Sequence, residues 1–353
     1  MIRGIAATAS DGTAADAAQA ALAGGGSAAD ALIAGFLAAA GARPGVLLAP
    51  AVALIGGTGV GARVFDGRAA QPGLGAPRPR GFVDAASVPD AARIAVPRTL
   101  GLISLLHGYL GRSRLGELAR PGVLAATHLG ATARAELIRS VGASGGAALH
   151  QRDVMRALTD VGGALAGGTL TEDDLRETIP AAGDAIVQES PGASGEASDT
   201  ISLLRSPWPV GAEARPAETI VACDNRGMLA AMAYAPAHIG ILVPALELEL
   251  GRDAVPVRRG ITRVSPGTLL PTAAPIAILL RGRIAAALGL EGILAIGPET
   301  LAGLTEPLSP EGGWEASLEA KLADVRTRTG AKRILVATRD GHGGARTVTQ
   351  GNA

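Results

Sequence analysis

Gly25-Gly26-Ser27-Ala28-Ala29-Asp30-Ala31 is the stretch whose reading decides the fold of this chain. The paired glycines interrupt one helical segment, and Ser27 with Asp30 three residues later supplies both halves of a capping box for the next. The hydroxyl accepts from an N–H of the first turn, and the carboxylate reaches back to the cap. From Ala28 to Ala42 the only charge is Asp30, so the spacing predicts an Ala-rich helix. Beyond it, Ile55-Gly56-Gly57-Thr58-Gly59 reads as a glycine-rich turn, followed by a strand at Ala62-Arg63-Val64-Phe65 and a turn at Asp66-Gly67. Thr13 with Asp16, and Thr171 with Asp174, repeat the capping pattern, and residues 1 to 178 read as mostly helical.

The second half changes character. Glu218-Thr219-Ile220-Val221-Ala222-Cys223, the turn Asp224-Asn225-Arg226-Gly227 and Met228 to Tyr234 read as an antiparallel hairpin. Further strands are expected at His238 to Val243, Pro275 to Leu280, Arg283 to Leu288, Gly292 to Ile296 and Arg333 to Thr338, the last with a turn at Asp340-Gly341. Ser190 to Ser198 is polar and Gly/Pro-containing, the composition of a flexible linker. The chain therefore divides into 1–189, a helical part, 190–214, a linker, and 215–353, a strand-rich part, together forming one structural domain.

Composition narrows the function. The chain has 353 residues, 48% of them hydrophobic, enough for a full core. With three Phe, two Tyr and two Trp, that core is aliphatic, and an aromatic platform for nucleic-acid bases is not expected. The 32 basic and 32 acidic residues cancel, which removes the electrostatic case for a polyanion partner. The single cysteine, Cys223, excludes an internal disulfide and a multi-cysteine zinc site and reads as a buried strand residue. The five histidines, His107, His128, His150, His238 and His342, show no metal-ligand spacing. No metal or cofactor is expected. The longest apolar run is shorter than the roughly 20 residues of a membrane span, and Met1-Ile2-Arg3-Gly4 has no hydrophobic leader core, so a cytoplasmic protein with no membrane partner is expected. Gly57-Thr58-Gly59-Val60-Gly61-Ala62 fits a dinucleotide fingerprint in letters, but such a fingerprint must open a helix, and a strand follows here. Glu247 and Glu249 alternate with leucines and read as the solvent side of a strand.

The helix start and glycine-rich turn, in this order and spacing, resemble the opening of a gamma-glutamyltranspeptidase. The similarity continues at Ala95-Val96-Pro97-Arg98-Thr99-Leu100-Gly101, with the two helices behind it, and at Gly167-Gly168-Thr169-Leu170-Thr171-Glu172-Asp173-Asp174-Leu175. Gly343-Gly344-Ala345-Arg346 is similar to the family's C-terminal strand. The resemblance implies an α+β fold, the four-layer αββα sandwich of the N-terminal-nucleophile hydrolases, in a shortened form. Residues 1–189 then stand for the large subunit and 215–353 for the small one.

The residues of the family's chemistry are another matter. In the family a precursor cuts itself before a Thr that begins a strand, and the freed amine serves as base for the Thr hydroxyl. Matching Asp224 and Gly227 without a gap places Ala217 at the nucleophile. A shift of two residues makes Thr219 the nucleophile and keeps it on the same face, because strand side chains repeat every second residue. Asp199-Thr200 offers a second candidate, Thr200. The family's carboxylate-binding Arg falls at Gly73, leaving Arg78 and Arg80 as substitutes. Its substrate-holding hydroxyls correspond to Pro271-Thr272-Ala273-Ala274-Pro275, of which Thr272 keeps one. Its oxyanion turn corresponds to Gly289-Leu290-Glu291-Gly292, where Glu291 would repel the developing charge.

The reading that follows is a catalytically degenerate homologue kept as a binding or assembly module. It would work as a homo-oligomer or beside an active enzyme subunit, with a small amide or glutamyl compound as ligand. The alternative is an active amide or gamma-glutamyl hydrolase or transferase of altered substrate range, using a Thr nucleophile.

Overall fold

A computed structural model of the protein describes residues 4–77, 80–177, 179–190, 200–208, 210, 214–281, 284–296, 314–339 and 344–351. The first half runs β1 (Ala6–Ala9), α1 (Gly12–Ala23), α2 (Ala28–Ala42), β2 (Ala51–Gly57) and β3 (Arg63–Gly67). Helices α3 (Thr99–Leu110), α4 (Leu115–His128), α5 (Thr132–Ser144), α6 (Arg152–Gly162) and α7 (Glu172–Arg176) follow. Next come β4 (Ala181–Asp184), β5 (Ile186–Ser190), β6 (Ile201–Arg205), β7 (Glu218–Cys223) and β8 (Met228–Tyr234). The described chain ends with β9 (Ile241–Val243), β10 (Leu248–Leu250), β11 (Ile276–Arg281), β12 (Ile284–Glu291), α8 (Trp314–Thr329), β13 (Arg333–Arg339) and β14 (Ala345–Gln350).

Two six-stranded antiparallel sheets form the centre, ordered β1-β7-β8-β2-β3-β4 and β14-β13-β12-β11-β6-β5. Side chains alternate across each strand, and β7 shows the result. Ile220 and Ala222 join the apolar cluster shared with α1 and α2, whereas Val221 and Cys223 point into the cluster between the sheets. The outer face of the second sheet packs on Leu322 and Val325 of α8. Helix, sheet, sheet and helix thus form four layers, the αββα sandwich the resemblance implied. Burial pushes the Cys223 thiol up to about 12, and Cys223 is a core residue.

Helix α2 is buried from Ala28 to Gly41, which explains its composition: small residues let neighbours approach from every side. The closest approach is to α4, where a Cβ on Gly41 would lie 2.0 Å from the Gly122 carbonyl oxygen. Ser27 and Asp30 form the expected capping box. Asp30 Oδ2 also accepts from the Arg112 and Ser113 N–H groups at 2.9 and 3.1 Å, tying α2 to the α3–α4 connection. Asp174 caps α7 in the same way and accepts from the N–H groups of Gly73 and Leu74. Both aspartates are structural.

Several expectations change in the structure. Of the strand predicted from His238 to Val243, only Ile241–Val243 forms, and 292–296 is turn and bend rather than strand. Glu247 adopts a left-handed backbone, φ 52°, and its carboxylate accepts from the Ala133 N–H at the start of α5. Glu249 accepts from the Gly240 N–H, so the two carboxylates serve separate turns. The span 190–214 contains β6, which pairs with both β11 and β5. Gly57 to Ala62 joins the antiparallel strands β2 and β3, a hairpin that cannot present a helix N-terminus to a pyrophosphate. The turn at Asp340-Gly341 and His342 lie outside the described residues. Among the described residues no helix is long and apolar enough to cross a membrane.

Candidate functional site

The hairpin β7–β8 fixes the reference frame. Asp224 Oδ1 accepts from the N–H groups of Arg226 and Met228, and Gly227 takes φ 91°, a conformation that suits glycine. The carboxylate also pairs with Arg112 at 3.1 Å. From this anchored turn, β7 leads back to Ala217, buried in the inter-sheet cluster. Ala217 and Thr219 therefore share a face, as a two-residue spacing requires, and at Ala217 no hydroxyl exists.

Thr219 is fully buried. Its N–H donates to Ser10 Oγ at 2.6 Å and its carbonyl accepts from the Ser10 N–H at 2.9 Å, continuing the β1–β7 ladder past Ala9. The Thr219 hydroxyl lies 3.4 Å from Glu291 Oε1, and Ser10 Oγ makes a short hydrogen bond to the same oxygen. Arg333 stands 3.9 Å from the other carboxylate oxygen and donates to the carbonyls of Ala9 and Ser10. These residues sit where β1 and β12 end and β7 and β13 begin, so four strands of both sheets meet in one polar cluster.

Burial is the largest influence on Glu291 and raises its pKa. The Ser10 bond and Arg333 pull it down, Glu218 pushes it up and the Thr219 bond pulls it down. Thr219 itself is packed tightly: a Cβ on Gly289 would lie 2.3 Å from Thr219 Oγ1. On the opposite face of β7, Glu218 is held by both terminal nitrogens of Arg43 and by the Tyr234 hydroxyl at 3.0 Å. That trio ties β7 and β8 to the end of α2.

The other sequence candidates scatter. Thr200 is half-buried and immediately precedes β6, a strand of the second sheet, whereas β7 belongs to the first. Arg78 lies outside the described residues. Arg80 is exposed, and among the described residues its side chain has no bonded partner. Gly289, matched to an oxyanion turn, lies inside β12, opposite Ile276 of β11 and Leu335 of β13. Glu291 is the last residue of that strand, and its carbonyl accepts from the Lys332 N–H. Thr272 is buried and lines a cavity of about 480 Å³ at the same end of the sandwich.

That cavity is the open feature of the region. Ala214, Arg215 and Ala235, next to the start of β7 and the end of β8, form one wall, and Leu270, Pro271 and Thr272, ahead of β11, form another. Arg93, Arg252, Asp253 and Arg258 complete its polar lining. Burial raises the Asp253 pKa against the opposing pull of Arg215, which holds the carboxylate at 2.8 and 3.1 Å. Neither Ser10 and Arg333 nor the cavity arginines carry a local sequence signal, because each set is assembled from segments far apart in the chain. Among the described residues no group of three His, Cys, Asp or Glu side chains is placed to hold a metal.

The layers, the sheet order and the position of β7 define the N-terminal-nucleophile hydrolase fold. Its solved representatives include cephalosporin acylase from Bacillus halodurans, at 13% identity and TM-score 0.69 over 100% of this chain and 96% of that one. LmbA2991HD superposes with TM-score 0.64 at 13% identity, over 99% and 98% of the two chains. A gamma-glutamyltranspeptidase from Pseudomonas nitroreducens covers 59% of this chain and 72% of its own, at 17% identity and TM-score 0.48. Neither a family model nor a curated protein sequence matches the chain.

Proposed function

We propose that this chain is a gamma-glutamyltranspeptidase-like protein without Thr-nucleophile chemistry, serving as a binding or assembly module. The observation that supports this most directly is the state of β7. The ungapped nucleophile position is Ala217, and the nearest hydroxyl on that face, Thr219, is an internal strand residue whose N–H is spent on Ser10. An N-terminal nucleophile needs a free amine beside its hydroxyl and donors aimed at the oxyanion. Here the hydroxyl faces a carboxylate and a glycine with no space for an acyl group between them. The module acts either with further copies of itself or beside an active enzyme subunit, with a small amide or glutamyl compound as the first class of ligand to consider.

One observation favours the second reading, an amide hydrolase using Thr219. Glu291 touches the Thr219 hydroxyl and has a raised pKa, the direction a general base requires. Self-cleavage separates the two readings. Intact mass spectrometry of freshly purified protein, with N-terminal sequencing of any fragment, is expected to show one chain of 35.0 kDa. Two fragments with a new N-terminus at Thr219 or Thr200 would overturn the proposal in favour of the hydrolase.

A further inference from the structure

The cavity beside β7 carries a charge pattern that neither the fold nor the sequence resemblance accounts for. Four arginines line it: Arg93, Arg215, Arg252 and Arg258. Two of them are neutralised in bidentate pairs. Arg215 holds Asp253 at 2.8 and 3.1 Å, and Arg252 holds Asp90 at 2.8 and 2.9 Å. Asp90 also feels the charge of Arg93, but its two oxygens are committed to Arg252. Arg93 spends one nitrogen on the Ala85 carbonyl, and among the described residues the Arg258 side chain has no bonded partner. Four guanidiniums less two carboxylates leave a formal charge of two positive among these groups.

Both uncompensated arginines stand on fixed backbone. Phe82 donates to the Val257 carbonyl at 2.8 Å and accepts from the Arg259 N–H at 2.9 Å, which clamps Arg258 between them. Arg93 ends a short 3-10 turn, Asp90–Arg93, and its carbonyl accepts from the Ala254 N–H at 2.9 Å. Val88, Leu270 and Pro271 supply apolar walls. Half-buried cations of like sign repel each other and lose hydration, a cost that an anion with oxygens matching the guanidinium fork offsets.

We propose that this cavity binds a small dianion with a short uncharged body, carrying its charge on two carboxylates or on one phosphomonoester. The inference rests on the binding reading above only in treating the ligand as held rather than turned over, and it puts a dianion in place of a neutral amide as the ligand. The assigned groups, Arg93 and Arg258, differ from those the family resemblance offered, Arg78 and Arg80.

Isothermal titration calorimetry on the full chain tests this with glutarate, glycerol 3-phosphate and, as a neutral control, glutaramide. At least one dianion is expected to bind and to weaken as salt screens the site, while glutaramide gives no heat of binding. Glutarate alone would mean that the two charges are read separately, glycerol 3-phosphate alone that they are read as one group. Arg258→Gln is expected to weaken binding by at least about tenfold, the loss of one charge-assisted hydrogen bond, with an unchanged far-UV spectrum. Arg93→Gln carries the same expectation should Arg258→Gln fail to fold. No binding by either dianion, equal binding of glutaramide, or a folded arginine variant that binds as well as the parent overturns the proposal. The outcome is independent of the cleavage test: a self-cut chain that binds dianions sinks the non-catalytic reading alone, and an uncut chain that ignores them sinks this one alone.

Discussion

Glu291 is the residue on which the polar cluster turns, since it touches Ser10 and Thr219 from one sheet while belonging to the other. Its pKa is raised in the folded protein, chiefly by burial, so folding favours its protonated form. For such a group the stabilising contribution is fully present below the ordinary carboxylate value and is lost as pH rises through the raised folded value. Glu291→Gln keeps the shape and removes the titration. Relative to this variant, the parent protein is expected to lose thermal stability as pH rises from the ordinary carboxylate range to above it. Thermal melts of the two proteins across that range provide the check, and a difference in melting temperature that stays constant with pH would deny the burial argument.

At the scale of elements, strand β12 lies across β7 at a distance that a glycine sets. A Cβ on Gly289 would come within 2.6 Å of Thr219 Cβ as well as 2.3 Å of its hydroxyl, so the two strands must separate or Thr219 must move. Gly289→Ala is expected to cost about 1–3 kcal/mol, the usual range for overpacking a filled core. The midpoint of urea unfolding reads this, and an unchanged midpoint would show that the sheets are not in close contact here. Gly289, matched by sequence to an oxyanion turn, pairs with Ile276 of β11, and the segment 289–291 pairs along its length with β13.

The whole molecule is interleaved. Strands β7 and β8 from the second half sit between β1 and β2 from the first, and β5 from the first half edges a sheet otherwise built from later strands. Neither 1–189 nor 215–353 can complete a sheet alone, and each would expose the cluster that fills the space between the sheets. The two segments expressed separately are expected to lack a cooperative thermal transition, while the full chain unfolds in one. Circular dichroism melts of the three proteins would show it, and a cooperative melt of either segment would mean that the parts are independent domains.

Sequence alone determined what local chemistry controls. The capping boxes at Ser27 and Thr171, the β7–β8 hairpin around Asp224 and Gly227, and the absence of a hydroxyl at Ala217 all follow from residues within a few positions of one another. The αββα class was legible because helix-first, strand-later order accompanied a family's spacing of glycines. Strand β6 was not, because its short run gains its hydrogen bonds from β5 and β11, and only the tertiary structure supplies them. The same holds for the site. Ser10 meets Glu291, and Arg93 and Arg258 come to line one cavity, across long stretches of chain, and whether a charged side chain is paired or open depends on which distant carboxylate folding brings to it. That is why single positions such as Ala217 could be read from the sequence, while the arginine cavity became visible only once the sheets were assembled.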